Sequence, residues 1–187
     1  LAAPHGDMVR QYRQILDSLN GQYNQLSAWA FGKANNEGFD EYVIDYDEYL
    51  GVGSGSFSFL DDTLYVNTFS LKKYQERVLS GHMGVEQQKN YGRKEVMQYR
   101  FLLGMFSGRL SRKYFRDTFG VNLDTALFKE MTSMKAIGAI KTDPTDPDNL
   151  IVTDNGKMMG LLMMKEFYSG MDNVRAQLRK PLKDCDM

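Results

Sequence analysis

The hydrophobic and polar positions along the first half of the chain predict a mixture of helices and strands. Apolar side chains recur at helical spacing in two segments and at every second residue in three others. The most unusual of these strands covers residues 51–59, where Gly51, Gly53 and Gly55 precede the alternating Phe57 and Phe59. The predicted elements are helices over residues 7–19 and 70–80 and strands over residues 23–31, 51–59 and 63–67, the last two joined by a tight turn at Asp61-Asp62.

The pattern in the second half predicts helices with one small sheet. Ser111 is placed to cap a helix that ends at Gly120, and Thr153 or Asp154 caps the last helix. Three helices, a two-stranded wing with a turn-rich tip and a final helix predict a winged-helix-like unit. The predicted helices cover residues 93–106, 111–119, 122–137 and 156–170, and the predicted strands cover residues 139–142 and 150–153. The side chains expected to point inward from the third helix are Leu127, Met131, Met134 and Ile137.

The glycine-rich strand predicts that something lies close to its backbone. Glycine at every second position leaves one face of a strand without side chains, so a ligand or another backbone can lie against it. Periodicity leaves both occupants open. A helix, a strand and a glycine-rich hairpin in this order indicate the tail of an α/β arrangement, and the chain as a whole is expected to be α+β.

Residues 40–49 combine five carboxylates with three tyrosines in ten residues. One interpretation is a solvated acidic loop, and the other is one wall of a site in which Tyr and Asp side chains contact a polar ligand. Carboxylates at this density repel one another, which raises the pKa of any that is buried. No spacing of Ser, His or Cys indicates a nucleophilic triad, so no catalytic residue is predicted.

The charge of the chain changes sign along its length. Residues 1–91 hold seven Lys/Arg and twelve Asp/Glu, whereas residues 92–187 hold sixteen and twelve. With Gly84 and Asn90-Tyr91-Gly92 nearby, this change predicts a domain boundary. The expected domains cover residues 1–85 and 86–187.

Composition limits the compartment and the partners. The chain has 187 residues, 42% of them hydrophobic, without an apolar run long enough to cross a membrane, so we expect a globular protein with no membrane partner. The start, Leu1-Ala2-Ala3-Pro4, lacks Met and does not resemble a signal peptide, which indicates the cut edge of a longer protein. Because Cys185 is the one cysteine, no disulfide and no metal ligands are predicted, and a cytoplasmic location is favoured.

Winged helices often bind DNA, so a DNA-binding or interaction module is one alternative function. The helix that would read bases, residues 122–137, is charge-neutral and poor in Arg, Asn and Gln. The tip of the wing carries Asp143, Asp146 and Asp148, whereas phosphate contacts require positive charge. The sequence therefore predicts no nucleic-acid partner.

Several segments, taken in order, resemble the oxygen-independent coproporphyrinogen III oxidase family of radical S-adenosylmethionine proteins. That family has a strand of the type Gly-x-Gly-x-Gly/Ala-x-Ser after a segment with Tyr and Ser, then an Asn before a Tyr-containing helix, and a Thr-x-x-Gly at its last helix. The matching segments here are Tyr23 to Ala30, Tyr49 to Ser58, Tyr65-Val66-Asn67 with Tyr74, and Thr153-Asp154-Asn155-Gly156. The series covers most of the chain, although no single motif is decisive.

The resemblance implies that residues 1–85 are the end of a radical-SAM-type α/β barrel and that a winged-helix-like domain follows. It implies a parent protein that uses S-adenosylmethionine and a [4Fe–4S] cluster for the oxidative decarboxylation of a porphyrinogen in haem biosynthesis, with a tetrapyrrole as its substrate. The cofactor-binding residues it implies are Gly51, Gly53, Gly55 and Ser56, and the substrate-binding residues are Tyr46, Tyr49, Ser58 and Asn67.

The chain departs from the family pattern in two places. The family's Cys-x-x-x-Cys-x-x-Cys is absent, so this chain alone cannot hold the cluster and is expected to be inactive alone. In addition, Asp45-Tyr46-Asp47 stands where many relatives have a His-Asn pair. Two related functions stay open: a haem-degrading methyltransferase, and a haem-binding chaperone with His82, His5 and Cys185 as the strong candidate axial ligands.

A chain that begins inside a barrel leaves strands with unpaired edges, and these edges lead to a prediction about self-association. Unpaired edges invite pairing with another copy of the chain. The predicted strands over residues 23–31 and 63–67 are the candidates, so we expect self-association through the first half.

Overall fold

The computed structural model describes residues 5–33 and 46–165, which form a mixture of helices and small antiparallel sheets. The expected α+β character is confirmed at this level, and no sheet built from these residues closes into a barrel. In chain order the elements are α1 (His5–Leu19), β1 (Asn24–Gln25), β2 (Phe31–Gly32), β3 (Phe57–Leu60), β4 (Thr63–Asn67), α2 (Leu71–Leu79), β5 (Val85–Asn90), α3 (Arg93–Ser107), β6 (Arg109–Ser111), α4 (Arg112–Phe119), α5 (Leu123–Ala126), α6 (Phe128–Ala136), β7 (Ile140–Thr142), β8 (Asn149–Val152) and α7 (residues 154–165).

The hairpin β3–β4 agrees with the sequence pattern. Phe57 pairs with Val66, and Leu60 pairs with Thr63. Between the strands, Asp61 and Asp62 have φ angles of 47° and 55°. A two-residue hairpin turn needs left-handed values of this kind, which Asp tolerates better than most residues. The predicted turn and the predicted strand over residues 63–67 are confirmed.

The predicted strand over residues 51–59 is shorter than expected. It begins at Phe57, and the glycines before it form a loop. Gly53 and Gly55 have φ angles of 105° and 72°, which an extended strand does not contain. The prediction of a bare strand face is therefore wrong for these two positions: they are glycine because the chain turns there.

The predicted strand over residues 23–31 is a hairpin instead. β1 and β2 are two residues each, and the amide of Leu26 donates to the carbonyl of Ala30 at 2.9 Å across the turn. The buried hydroxyl of Ser27 accepts hydrogen bonds from the amides of Trp29 and Ala30. A serine that satisfies backbone amides in this way competes with a strand and favours a turn.

Two strands were absent from the sequence prediction, and both are sheet edges. β5 is polar and mostly exposed, and it pairs with β4 in the sheet order β3-β4-β5. β6 is three residues long and pairs with β8 in the order β6-β8-β7, so the predicted two-stranded wing is a three-stranded sheet. Because β4 is central, residues 63–67 do not offer the free edge expected for self-association.

Four helices lie within two residues of their predicted ends, namely α1, α2, α3 and α4. The hydroxyls of Ser70 and Ser111 accept hydrogen bonds from the amides of Lys73 and Tyr114 and cap α2 and α4. Gly120 ends α4 in a left-handed conformation, as predicted. Local capping signals therefore located both ends of α4 correctly, whereas the cap at Ser70 was not predicted.

The third helix of the predicted winged-helix unit is divided in two. Asn122 caps α5, and the helix is interrupted at Leu127, which is completely buried between α5 and α6. Met131 is buried and Met134 packs against the core, as predicted, but the expectation for Ile137 is wrong because this residue ends α6 and is exposed. Because the helix is interrupted here, Leu127 reaches the core, and the segment forms two short helices instead of one straight helix.

The last helix, α7, begins at a threonine cap. The hydroxyl of Thr153 accepts a hydrogen bond from the amide of Gly156 at 3.2 Å. Of the two predicted caps, Thr153 is therefore the one that the structure uses. The predicted end of this helix near residue 170 lies outside the described residues. None of the described helices is long and apolar enough to cross a membrane.

The described residues form two apolar clusters of unequal size. The larger is built by α3 to α6 and the β6-β8-β7 sheet, and its buried members are Met97, Phe101, Met105, Leu110, Phe115, Leu123, Leu127, Met131, Ala139, Ile140, Leu150 and Val152. The smaller joins Tyr49, Phe59 and Val96. Since Val96 lies on α3, the smaller cluster contains residues from both sides of residue 85. The division at that residue stays a prediction.

Candidate functional site

Residues 51–56, which we call the glycine loop, satisfy their glycine amides within the protein. The amide of Gly51 donates to the hydroxyl of Ser58 at 3.0 Å. The amide of Gly53 donates to the hydroxyl of Tyr74 at 3.1 Å, and the amide of Gly55 donates to the carbonyl of Thr68 at 2.9 Å. These bonds hold the loop against β3, β4 and α2.

Asn67 fixes the other side of the glycine loop. Its Nδ2 donates to the carbonyl of Gly53 at 3.0 Å and to the hydroxyl of Ser56 at 2.9 Å. The same hydroxyl donates to the carbonyl of Gly53 at 2.8 Å. The sequence singled out all three residues as binding residues, and the structure brings them together as partners of one another.

Two of the glycines have protein atoms against them. A Cβ at Gly51 would lie 2.1 Å from the carbonyl oxygen of Phe57, and a Cβ at Gly55 would lie 2.6 Å from the ring of Phe69. At Gly53 there is open space. Of the two occupants that periodicity left open, another part of the chain is therefore the one found at Gly51 and Gly55.

A groove of about 390 Å³ lies beside the glycine loop. Its walls come from the loop, the β3-β4-β5 sheet and α2, and most of its lining side chains are apolar. The lining residues are Leu50, Gly51, Val52, Ser58, Leu60, Tyr65, Asn67, Tyr74, Val78, Met83, Gly84 and Val85. Apolar walls with a few convergent polar groups are typical of small-molecule sites of this size. We call this feature the apolar groove.

Two predicted substrate-binding residues, Ser58 and Asn67, lie in the wall of the apolar groove, together with Gly51. Tyr65 and Tyr74 also line it and were absent from the predicted set. Tyr65 lies two residues before Asn67 on β4, so strand periodicity could have placed it on the same face. For Tyr74, which bonds to Gly53, the sequence offered only its position on the apolar stripe of α2.

The other two predicted substrate-binding residues lie away from the apolar groove. Tyr49 is buried in the smaller cluster, where its hydroxyl lies 2.8 Å from that of Tyr99. The carbonyl of Tyr46 accepts a hydrogen bond from Nη1 of the buried Arg100 at 2.9 Å. Both tyrosines therefore connect the segment before the glycine loop to α3, and neither lines the groove.

Arg100 and its neighbours form a polar cluster at this connection. Nε of Arg100 lies 3.4 Å from Oδ1 of Asp47, which also accepts a hydrogen bond of 2.6 Å from the hydroxyl of Tyr114. Burial, and then the hydrogen bond to Asp47, raises the pKa of Tyr114. Burial, and then the contact with Tyr49, raises the pKa of Tyr99. These phenols are neutral at physiological pH and act as hydrogen-bonding groups.

The chain does not fit an iron–sulfur cluster. Such a cluster is held by several thiolates, and the sequence has only Cys185. Within residues 5–33 and 46–165, no group of three or more His, Cys, Asp or Glu side chains could hold a metal ion. Of the predicted axial ligands, His82 is exposed, with Nδ1 at 3.2 Å from the hydroxyl of Ser80. Cys185 and the side chain of His5 lie outside what the structure describes.

The glycine loop also does not fit S-adenosylmethionine through its glycine amides. A loop that cradles a ligand presents amide donors to it. Here the donors of Gly51, Gly53 and Gly55 already bond to Ser58, Tyr74 and Thr68. The predicted cofactor contacts at these glycines stay a prediction, and any contact would have to use the open space at Gly53 or the wall of the groove.

Comparison with known proteins relates the fold to a solved enzyme. No model of a known protein family matches the sequence, and no curated protein is significantly similar to it. Among solved structures, coproporphyrinogen III oxidase (HemN) from Escherichia coli, described as a radical SAM enzyme, aligns with a TM-score of 0.60 at 14% identity. The alignment covers 86% of this chain and 40% of that enzyme. At this identity the likeness concerns the fold, and the chain resembles a region that spans less than half of that enzyme.

Proposed function

We propose that this chain is the C-terminal portion of a radical S-adenosylmethionine protein related to coproporphyrinogen III oxidase. The observation that carries the proposal is the alignment of 86% of the chain with HemN at a TM-score of 0.60. The glycine-rich, Asn and Thr-x-x-Gly segments also support the proposal, because they follow one another in the same order as in that family. On this proposal the first half is the end of an α/β barrel, the second half is a winged-helix-like domain, and the protein acts in the cytoplasm.

The cofactors belong to the rest of such a protein. The chain has no thiolate set for a [4Fe–4S] cluster, and its glycine amides are occupied. S-adenosylmethionine and the cluster would supply the radical chemistry from outside these residues. This chain would form one side of the substrate site and exclude water from it.

The apolar groove is the part of the chain best suited to a tetrapyrrole. A macrocycle presents a large apolar face, and the groove offers an apolar wall formed by Leu50, Val52 and Met83. Val52 is 82% exposed, so this wall is accessible to a ligand. The hydroxyls of Ser58 and Tyr74 lie in the same wall, where they can hydrogen-bond to polar substituents.

Titration of the chain with coproporphyrin III, the oxidised and fluorescent form of the substrate, tests the proposal. We expect saturable quenching of its fluorescence, weakened about tenfold or more by Val52→Asp, because a carboxylate in the groove opposes burial of the apolar face. Phe128→Asp is the matched control, since Phe128 is 66% exposed on α6 in the other half. Absence of saturable binding, or equal effects of the two substitutions, would contradict the proposed role of the groove.

Nucleic-acid binding is disfavoured by the charges on α5 and at the tip of the β6-β8-β7 sheet. Asp124 on α5 bonds to Arg112 Nε and to Lys135 Nζ, each at 2.6 Å. Arg116 bonds to Asp148 at the tip of the sheet. Cations held in such pairs are less available to phosphates. We therefore propose that the partner is a tetrapyrrole and that nucleic acid is not a partner.

Haem binding is a related alternative, which a separate titration with haemin distinguishes. His82 is exposed after α2, so it can reach a metal without a change in the core. Haem bound through this residue would shift the Soret band of added haemin, and His82→Ala would abolish the shift. Coproporphyrin III lacks iron, so its binding does not depend on His82.

A further inference from the structure

The structure contains a second cavity, of about 730 Å³. It lies between the β1–β2 hairpin, the junction of α3 with β6, and one face of the β6-β8-β7 sheet. None of its lining residues lines the apolar groove. We call it the polar cleft, and its volume is in the range of small-molecule sites.

The sheet wall of the polar cleft is the face that the core does not use. Leu110, Leu150 and Val152 point into the larger apolar cluster. Because side chains alternate across a strand, the residues between them point the other way. Arg109 pairs with Ile151, which pairs with Lys141, so two cations flank an apolar residue on this face.

Lys157 contributes a third cation and is held in place. Its Nζ donates to Oε1 of Gln25 at 2.7 Å, and only 18% of its side chain is exposed. Gln25 in turn donates to the hydroxyl of Tyr12, which donates to the carbonyl of Ala28, each at 2.8 Å. These bonds fix the amide of Gln25 and therefore the position of the ammonium.

The C-terminus of α3 also contributes to the position of Lys157. A Cβ added at Gly108 would lie 3.6 Å from Cε of Lys157, so the lysine side chain packs closely over this glycine. Gly108 ends α3 with a φ of 79°. An ammonium near the end of a helix is favoured by the partial negative charge there. Lys157 is thus pre-organised before any ligand binds.

The charges of the polar cleft favour an anion. Arg109, which lines the cleft, forms no ion pair with another residue in the described part of the chain. Lys157 has one acidic neighbour, Asp154, at 3.7 Å and largely in solvent. The acid that lines the cleft, Asp143, accepts hydrogen bonds from the amide and hydroxyl of Thr145.

We propose that the polar cleft binds a small ligand that carries one carboxylate or phosphate group, held by Lys157 and Arg109. An ammonium and a guanidinium give charge-assisted hydrogen bonds to either group. Ser111 lies in the same wall, with a hydroxyl that can donate to the anion while it accepts from Tyr114. Asp143 at the rim disfavours ligands with several negative charges. This site shares no lining residue with the groove proposed for the tetrapyrrole.

NMR titration of the full chain with sodium phosphate and, separately, sodium acetate tests the proposal at constant ionic strength. We expect saturable shifts at the amides of residues 107–111 and 149–152 with at least one anion, and the tighter anion identifies the group recognised. Lys157→Met and Arg109→Gln each remove a charge-assisted hydrogen bond, so each is expected to weaken binding about tenfold or more.

Lys72→Gln is the matched control, because Lys72 is an exposed lysine on α2. It is expected to leave the shifts unchanged. Arg109→Gln changes an exposed side chain, so it tests the site even if Lys157→Met disturbs the fold. No saturable shift with either anion, or shifts of equal size in Lys157→Met, Arg109→Gln and the unsubstituted chain, would overturn the proposal.

Discussion

Two parts of the chain use apolar residues in different ways: residues 93–165, which we call the helical half, and residues 46–90, which we call the sheet half. The helical half places twelve buried residues in one cluster, whereas the cluster around Phe59 has three. The sheet half instead exposes Val52, Leu79 and Met83, and α2 buries none of its residues. Exposed apolar patches on a folded protein mark surfaces that bind a ligand or another protein segment. The helical half therefore carries most of the clustered buried side chains, whereas the sheet half presents an apolar surface.

The largest expected effect separates the two halves by their stability. Phe115→Ala removes a fully buried ring from the larger cluster and is expected to lower the free energy of unfolding by about 3–5 kcal/mol. Leu79→Ala changes a side chain that is 78% exposed, so the expected change is within about 0.5 kcal/mol. Urea denaturation followed by circular dichroism measures both. Similar losses for both would contradict the distinction.

A smaller loss of stability is expected from a substitution where the glycine loop contacts β3. Gly51→Ala places a Cβ 2.1 Å from the carbonyl oxygen of Phe57, and the resulting shift of the loop is expected to cost about 1–3 kcal/mol. Gly92→Ala is the control, because its nearest neighbour is a side-chain oxygen at 3.8 Å and its φ is −70°. The same denaturation experiment compares them. An unchanged stability in Gly51→Ala would show that the loop adapts without cost.

The helical half is also expected to lose stability in acid through one ion pair. The hydrogen bond from Arg112, supported by Lys135, lowers the pKa of Asp124 from 3.8 to about 2. A carboxyl whose pKa is lower in the folded state stabilises the fold above its unfolded pKa and loses that contribution as the pH falls through the folded value. The loss therefore falls between about pH 4 and pH 2.

Because Asp124 is one-third exposed, solvent screening reduces this contribution to about 1 kcal/mol. Asp124→Asn removes it, so the stabilities of the variant and the unsubstituted chain are expected to differ at pH 5 and to converge near pH 2. Urea midpoints at the two pH values measure the difference. A constant difference across this range would contradict the assignment to Asp124.

The smallest expected effect concerns the support of the apolar groove. Tyr74→Phe removes the hydroxyl that accepts from the amide of Gly53, which is expected to cost about 0.5–1.5 kcal/mol. The ring remains, so the shape of the groove is kept. Tyr23→Phe is the control, because Tyr23 is an exposed tyrosine that does not line the apolar groove. Faster hydrogen exchange at residues 51–56 in Tyr74→Phe alone would confirm the role of this bond.

Local signals in the sequence predicted the elements that depend on neighbouring residues. Ser111 and Gly120 act within one helical turn, so these two ends of α4 could be predicted from the sequence. The strands β5 and β6 were missed because an exposed polar edge and a three-residue strand carry no strong period. The break at Leu127 depends on the core that this residue enters, which no local pattern contains.

The candidate site was predictable only in part, for a similar reason. Ser58 and Asn67 were implied by the family resemblance, and both line the apolar groove. Tyr49 was expected beside them, but it pairs with Tyr99, fifty residues away. Its position depends on how α3 packs against the sheet. The polar cleft likewise combines Gln25 with Lys157 across 132 residues.

We propose that the apolar groove of the sheet half binds a tetrapyrrole. Hydrogen exchange of the whole chain with and without coproporphyrin III, read by mass spectrometry, tests it most directly. We expect slower exchange in residues 50–60 and 71–85 on addition of the porphyrin and unchanged exchange in residues 123–136. Protection confined to the helical half, or no protection at concentrations that saturate fluorescence quenching, would contradict it.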